Sequence, residues 1–226
     1  RVGITRNEVR LEEQAAQSKI IEINDLDGLP RKIGVIDVPA FYLDFDAYRK
    51  GDPDFRSTTR DVGKLVAELN EAGVDGLVID LRGNGGGSLR EANELTGLFI
   101  EYGPTVQIKG TGSRVWRDGK RRRGPFYEGP VAVMIDRLSA SASEIFAGAL
   151  QDYGRAIIVG DRSFGKGTVQ SLLDLPEGQL KITESKFYRI SGESTQHRGV
   201  IPDISYPSLL QHDEIGESSL EKALDW

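Results

Sequence analysis

A chain of 226 residues, 38% apolar and 28% charged, is long enough to bury one α/β core and is ordinary globular material. A formal net charge of −6 argues against a general nucleic-acid surface, so the run Arg121-Arg122-Arg123 reads as a solvated hairpin edge. The absence of cysteine excludes disulfides and thiolate zinc sites, and two histidines among scattered acids point away from a catalytic metal. No stretch approaches the roughly 20 apolar residues of a membrane span, and Arg1–Gln14 is too polar for a signal peptide, so any export address would lie outside this chain.

In chain order, Val2–Ile4 and Lys19–Ile23 predict short strands joined by a connector, and Lys32–Val38 (KIGVIDV) a third strand. A loop bearing Phe41, Tyr42, Phe45 and Tyr48 follows. Val62, Leu65, Val66 and Leu69 then recur at helical spacing, with Ser57, Thr58 or Thr59 as cap and Gly73 as stop. Gly76–Leu81 (GLVIDL) is apolar throughout, as a parallel strand covered on both faces should be. It runs into Arg82-Gly83-Asn84-Gly85-Gly86-Gly87 and a helical pattern over Ser88–Ile100.

Asp118-Gly119 carries a hairpin signal, with Val106–Val115 before it and the arginine run after. Pro130–Ile135 predicts another buried strand, Ser139–Glu144 (SASASE) opens a helix, and Arg155–Gly160 is a further strand. This alternation predicts a mostly parallel sheet with right-handed crossovers. Thr168–Leu175 and Leu180–Ile190 then flank Pro176-Glu177-Gly178 as a hairpin, and a polar, irregular tail runs from about residue 205 to Trp226.

Open α/β sheets place their sites at the carboxyl ends of strands, where Gly83–Gly87, Ser139–Ser143 and Gly160–Gly167 all fall. A serine at a helix start keeps its hydroxyl outside the helical ladder and has exposed amides beside it for a developing oxyanion. The bland alternative is that Ser139, Ser141 and Ser143 only cap the helix. The glycine run suits an oxyanion, a phosphate or a plain tight turn, but it is not GxGxxG. Gly160–Lys166 fits GxxxxGK, yet Gly167 stands where a magnesium-binding hydroxyl belongs, and Thr168-Val169-Gln170 alternates as a strand.

With both His197 and His212 in polar, solvated surroundings and no GxSxG elbow, a serine nucleophile has few ordinary bases, and the amine of Lys166, 25 residues after Ser141, is one candidate, a plain surface charge being the bland alternative. Its pKa must fall by about three pH units, equivalent to about 4 kcal/mol, which burial beside Phe164 and the flanking glycines can supply. Gln170 can orient the amine through a neutral dipole without raising its pKa as a carboxylate would.

These residues, in KIGVIDVPAFY, GLVIDLRGNGGG, GPVAVMIDRLSASASEIFAGALQDYGRAIIVG, SFGKGTVQ and HRGVIPDI, resemble the carboxyl-terminal processing peptidases, or tail-specific proteases, of the periplasmic type. The resemblance implies an α/β fold with a crotonase-like, mostly parallel sheet, crossover helices and added β-hairpins. It implies Ser141 as nucleophile, Lys166 as general base, Gln170 as the group positioning the lysine, and the amides of Gly87 and Ala142 as the oxyanion hole. It further implies a serine endopeptidase of the periplasm or cell envelope, needing no cofactor, acting on proteins with apolar, uncharged C-termini, with room for an activating adaptor and a homo-oligomer. In this reading residues 1–31 are strands and connector ending a PDZ domain, residues 32–206 the protease core and residues 207–226 the tail. A non-catalytic binding module and a crotonase-like acyl-thioester enzyme are the alternatives on the same scaffold.

Overall fold

A computed structural model describes residues 15–112, 114–120 and 124–225. The expected N-terminal strand at Val2–Ile4 and the arginine run 121–123 lie outside the described residues. Six strands form the main sheet in the order β1 (Gln17–Asn24), β2 (Pro30–Asp37), β3 (Gly76–Asp80), β6 (Val131–Ile135), β7 (Ile157–Gly160) and β10 (Ile204–Ser205). All neighbours are parallel except β1, which returns antiparallel along β2 at the sheet edge.

The crossovers are helical. Helix α2 (Thr58–Glu71) joins β2 to β3, and α4 (Ala142–Asp152) joins β6 to β7. Between β3 and β6 comes α3 (Leu89–Thr96), shorter than the apolar period suggested because the chain turns at Gly97 and folds Phe99 and Ile100 into the core. Helix α2 starts where Ser57 Oγ accepts the Arg60 N–H, and its Val62, Val66 and Leu69, one face of a 3.6-residue period, are buried. The aromatic loop contains a short helix, α1 (Phe45–Lys50), capped by the Asp44 carboxylate and closed by Gly51 in the left-handed region.

Burial alternates along the central strands. In β6, Val131, Val133 and Ile135 are buried while Ala132 and Met134 are half-buried, so the second face is less covered than the apolar runs suggested. The inward face meets a layer of α2, α3 and α4, centred on Phe146, whose ring lies 6.2 Å from Phe41 and 5.9 Å from Phe99.

The two hairpins join into a second, antiparallel sheet in the order β5 (Trp116–Lys120), β4 (Gly103–Gly110), β9 (Gln179–Tyr188), β8 (Thr168–Asp174). One expectation is corrected here. Asp118-Gly119 is not a turn but lies inside β5, with Gly119 opposite Pro104. The glycine is needed for close approach, since a Cβ there would collide with the main chain of Gly103 and Pro104. Asp118 instead accepts the Asn93 side-chain amide at 2.7 Å, fastening β5 to α3.

The tail is irregular but not free. It contains a 3₁₀ turn at Glu217–Ser219, with Glu217 buried. The wholly buried guanidinium of Arg137 donates to the carbonyls of His212, Ile215 and Ser163, so the tail is fastened to the loop after β7.

Phe146→Ala should cost about 3–5 kcal/mol, the usual range for emptying a large aromatic site in a core. Urea unfolding followed by circular dichroism measures it; Phe45→Ala, on the exposed side of α1, should stay within about 0.5 kcal/mol of the parent. A Phe146→Ala loss below about 1 kcal/mol would show that the helical layer is not organised around this ring.

Candidate active site

Three loops leave the carboxyl ends of β3, β6 and β7 and are stitched together through their main chains. The Ala140 N–H and the Ser143 hydroxyl both donate to the Asn84 carbonyl, at 3.0 and 2.9 Å. The Ser139 hydroxyl donates to Leu81 O at 2.8 Å, and the Phe164 N–H to Ser139 O at 2.9 Å. Asn84, fully buried, donates to Val38 O at 2.7 Å and accepts the Gly86 N–H at 2.8 Å. The outer serines of SASASE are thus loop fasteners.

Ser141 sits at the N-cap of α4 with φ 57° and ψ −109°, a conformation that a non-glycine residue adopts at a cost of roughly 1–3 kcal/mol and only when its surroundings impose it. The turn puts its side chain at the mouth of the helix, beside the first free N–H groups. Gly86 and Gly87 have φ 102° and 143°, and a Cβ on Gly86 would lie 2.9 Å from Ser141 Cβ and 3.0 Å from Ala142 N. A Cβ on Gly87 would collide with the Phe41 carbonyl. Glycine is therefore required for this loop to lie against the Ser141 turn. Among the described residues neither the Gly87 N–H nor the Ala142 N–H has an acceptor, so two donors stand beside Ser141 unpartnered.

Lys166 follows from the loop after β7. Burial pushes its amine below the usual lysine range and nearby Lys181 adds to this, while Glu217 and Glu144 act in the opposite direction. Lys166 Nζ donates to Gln170 Oε1 at 3.1 Å, and Gln170 Nε2 reaches Thr183 Oγ1 at 3.4 Å. The run from Gly160 to Lys166 leads into β8 and not into a helix, the opposite of a phosphate-binding loop. The amine bonds to Gln170 and makes no hydrogen bond to Ser141.

Two residues of the site were not singled out from the sequence. Glu144, fully buried, accepts the Ser141 N–H at 2.8 Å and the Lys166 N–H at 2.9 Å on one oxygen. Its other oxygen takes the Gly165 N–H at 2.7 Å and the Ser163 hydroxyl at 2.6 Å. Burial pushes its carboxyl up to about 7 against these four donors. Its signal was in plain view: Ser141-x-x-Glu144 has the spacing of a capping box. Gln196, also buried, accepts the Gly167 N–H at 2.8 Å and donates to Glu217 and to Leu224 O; a lone glutamine between loops carries no sequence signal.

Both histidines are half-exposed, and each also has a fixed partner. His197 Nε2 lies 2.7 Å from Leu224 O, and His212 Nε2 is 2.8 and 2.9 Å from the two Asp161 oxygens. Both fasten the tail and neither is bonded to Ser141. Among the described residues no helix is long and apolar enough to cross a membrane.

The chain is 41% identical to a tail-specific protease of Haemophilus influenzae, over all of this chain and 31% of that protein. It is 45% identical to a carboxy-terminal-processing protease of Bartonella bacilliformis, over 57% of this chain and 30% of that protein. Of solved structures, the photosystem II D1 C-terminal processing protease matches with a TM-score of 0.69 and 26% identity, over 92% of this chain and 52% of that one. The chain therefore spans about a third of the length of these curated relatives. The profile of peptidase family S41 matches residues 32–206, more than half of the sequence and all three loops of the site, and the chain belongs to that family.

Proposed function

We propose that the chain is a serine endopeptidase core in which Ser141 is the nucleophile, Lys166 the general base, Gln170 the group orienting the lysine, and the Gly87 and Ala142 amides the oxyanion hole. The observation that carries this reading is the pair of unpartnered N–H groups beside a strained helix-cap serine, with a desolvated amine on the adjoining loop. Ser141 Oγ forms a bond to the scissile carbonyl carbon as its proton passes to neutral Lys166, and the carbonyl oxygen takes the negative charge between the two amides. Collapse breaks the C–N bond, the amine leaving with the proton from the Lys166 ammonium. Water then hydrolyses the acyl ester with Lys166 again as base. Rotation of the lysine side chain from Gln170 toward Ser141 closes the dyad.

The names of the relatives support cleavage at or from protein C-termini. To this the proposal adds proteins with apolar, uncharged tails as the substrate class, a periplasmic or cell-envelope setting, an activating adaptor and self-association. Residues 32–206 form the protease core in this reading, and the mostly parallel main sheet with crossover helices is consistent with a crotonase-like fold for it.

Ser141→Ala and Lys166→Ala should each lower kcat/KM on a fluorogenic peptide with an apolar C-terminus by about 100-fold or more. A serine-directed phosphonate should label the parent and not Ser141→Ala, which separates a peptidase from a binding module or an acyl-thioester enzyme; substantial cleavage by either variant overturns the assigned roles. The pH dependence follows from the base being neutral: activity rises with pH through the lysine's pKa, which burial holds below 10.5. Gln170→Glu places an anion on the amine and favours the ammonium, so the rising limb of the kcat/KM profile should move to higher pH by about one unit. An unmoved limb would remove Gln170 from the neighbourhood of the base.

A further inference from the structure

We infer that Glu144 is a positioning residue for this reaction, its carboxylate holding the main chain at Ser141 and at Gly165–Lys166 as one unit, an inference that rests on the reading of Ser141 and Lys166 above. The nucleophile turn follows β6 and the lysine loop follows the adjacent strand β7; the Phe164 N–H to Ser139 O bond joins the loops at their bases, and Ser141 and Lys166 themselves need a further link. Glu144 is that link, with Ser141 and Lys166 N–H on one oxygen and Gly165 N–H and Ser163 Oγ–H on the other. Both carboxylate oxygens are saturated, and no cation lies against them among the described residues. The direction of the Ser163 bond is set, because its hydroxyl already accepts the Val200 N–H at 2.6 Å.

Four donors on one group fit an acceptor-only carboxylate and do not fit an amide, which would point its NH₂ at two N–H donors or at one N–H and a hydroxyl. Capping α4 needs only the bond to Ser141. The other three reach the opposite loop and make sense as a means of holding two reacting groups in register. Glu91 supplies an internal comparison. It occupies the same position of α3, three residues after the cap Ser88, and is equally buried, but its carboxylate accepts the Thr59 N–H on α2 and makes no bond to the lysine loop among the described residues.

The test uses the full chain, the fluorogenic peptide and phosphonate labelling of Ser141. Glu144→Gln should lower kcat about 100-fold, the scale of a misplacement near 1 Å, with KM changed by less than about twofold and labelling slowed in proportion. Glu91→Gln should lower the melting temperature while leaving kcat within about twofold, which separates positioning from loss of a buried carboxylate as such. Should Glu144→Gln fail to fold, Ser163→Ala, which removes one of the four donors, decides the matter with an expected fall in kcat of about tenfold at unchanged KM. A folded Glu144→Gln with kcat within about twofold of the parent, a loss carried by KM, an equal kcat loss in Glu91→Gln, or an unaffected Ser163→Ala where that variant decides would each overturn the inference. Cleavage surviving Ser141→Ala, or a parent that neither cleaves nor is labelled, would instead sink the underlying peptidase reading.

Discussion

The Asn84 carbonyl accepts from both the Ala140 N–H and the Ser143 hydroxyl, and through that one oxygen the glycine loop and the nucleophile turn become a single surface. Where strands end, each loses its ladder partners, and buried N–H and C=O groups must be satisfied by neighbouring loops or be penalised. Here short polar side chains do this. Ser139, Ser143 and Asn84 are all buried and all bond to main chain. Among the described residues the Gly87 and Ala142 N–H groups have no acceptor, and in the proposed mechanism they take the oxygen of the scissile carbonyl.

The lysine is held in tension between opposing fields. Burial and Lys181 favour the neutral amine, whereas Glu217 and Glu144 favour the ammonium. Glu144 spends its four acceptor positions on uncharged donors, none of them the amine, so its charge is engaged elsewhere. The direct neighbour of Nζ is the neutral carbonyl of Gln170. A carboxylate in its place would favour the ammonium and, in the proposed mechanism, shrink the share of neutral amine able to act as base.

Much of this was legible in the sequence because it is local. The strand, glycine loop and helix at Gly76–Ile100, the second such unit opening at SASASE, and the separation of Ser141 from Lys166 are all periodic or motif-borne signals. What was not legible depends on which chains become neighbours. Asp118-Gly119 has turn composition, yet its glycine answers to the close passage of β4. Nothing in the alternation of the two hairpins says that Gln107 will pair with Tyr188 and merge them into one sheet. The short helix α1 hid among aromatic residues with no apolar face to bury. Glu144 lay within a readable capping box, but its contacts to residues 163–166 exist only once β6 and β7 lie side by side.

The tail owes its order to a buried cation with no carboxylate against it. Arg137 spends its guanidinium donors on the carbonyls of His212, Ile215 and Ser163, an arrangement that satisfies the N–H groups through dipoles and leaves the positive charge uncompensated by direct pairing. Such a group is held by geometry: losing the tail would strip two of its three acceptor residues and strand a buried charge, which is costlier than any one hydrogen bond is stabilising. The third acceptor, Ser163, also donates to Glu144, so the tail, the lysine loop and the nucleophile turn share one chain of hydrogen bonds. The Glu217 N–H bonded to Phe164 O and Gln196 bonded to both Gly167 and Leu224 O close the same circuit from the other side. A segment that reads as polar and irregular is therefore part of the wall around Lys166, and the degree to which that amine is desolvated depends on how firmly residues 212–224 are seated.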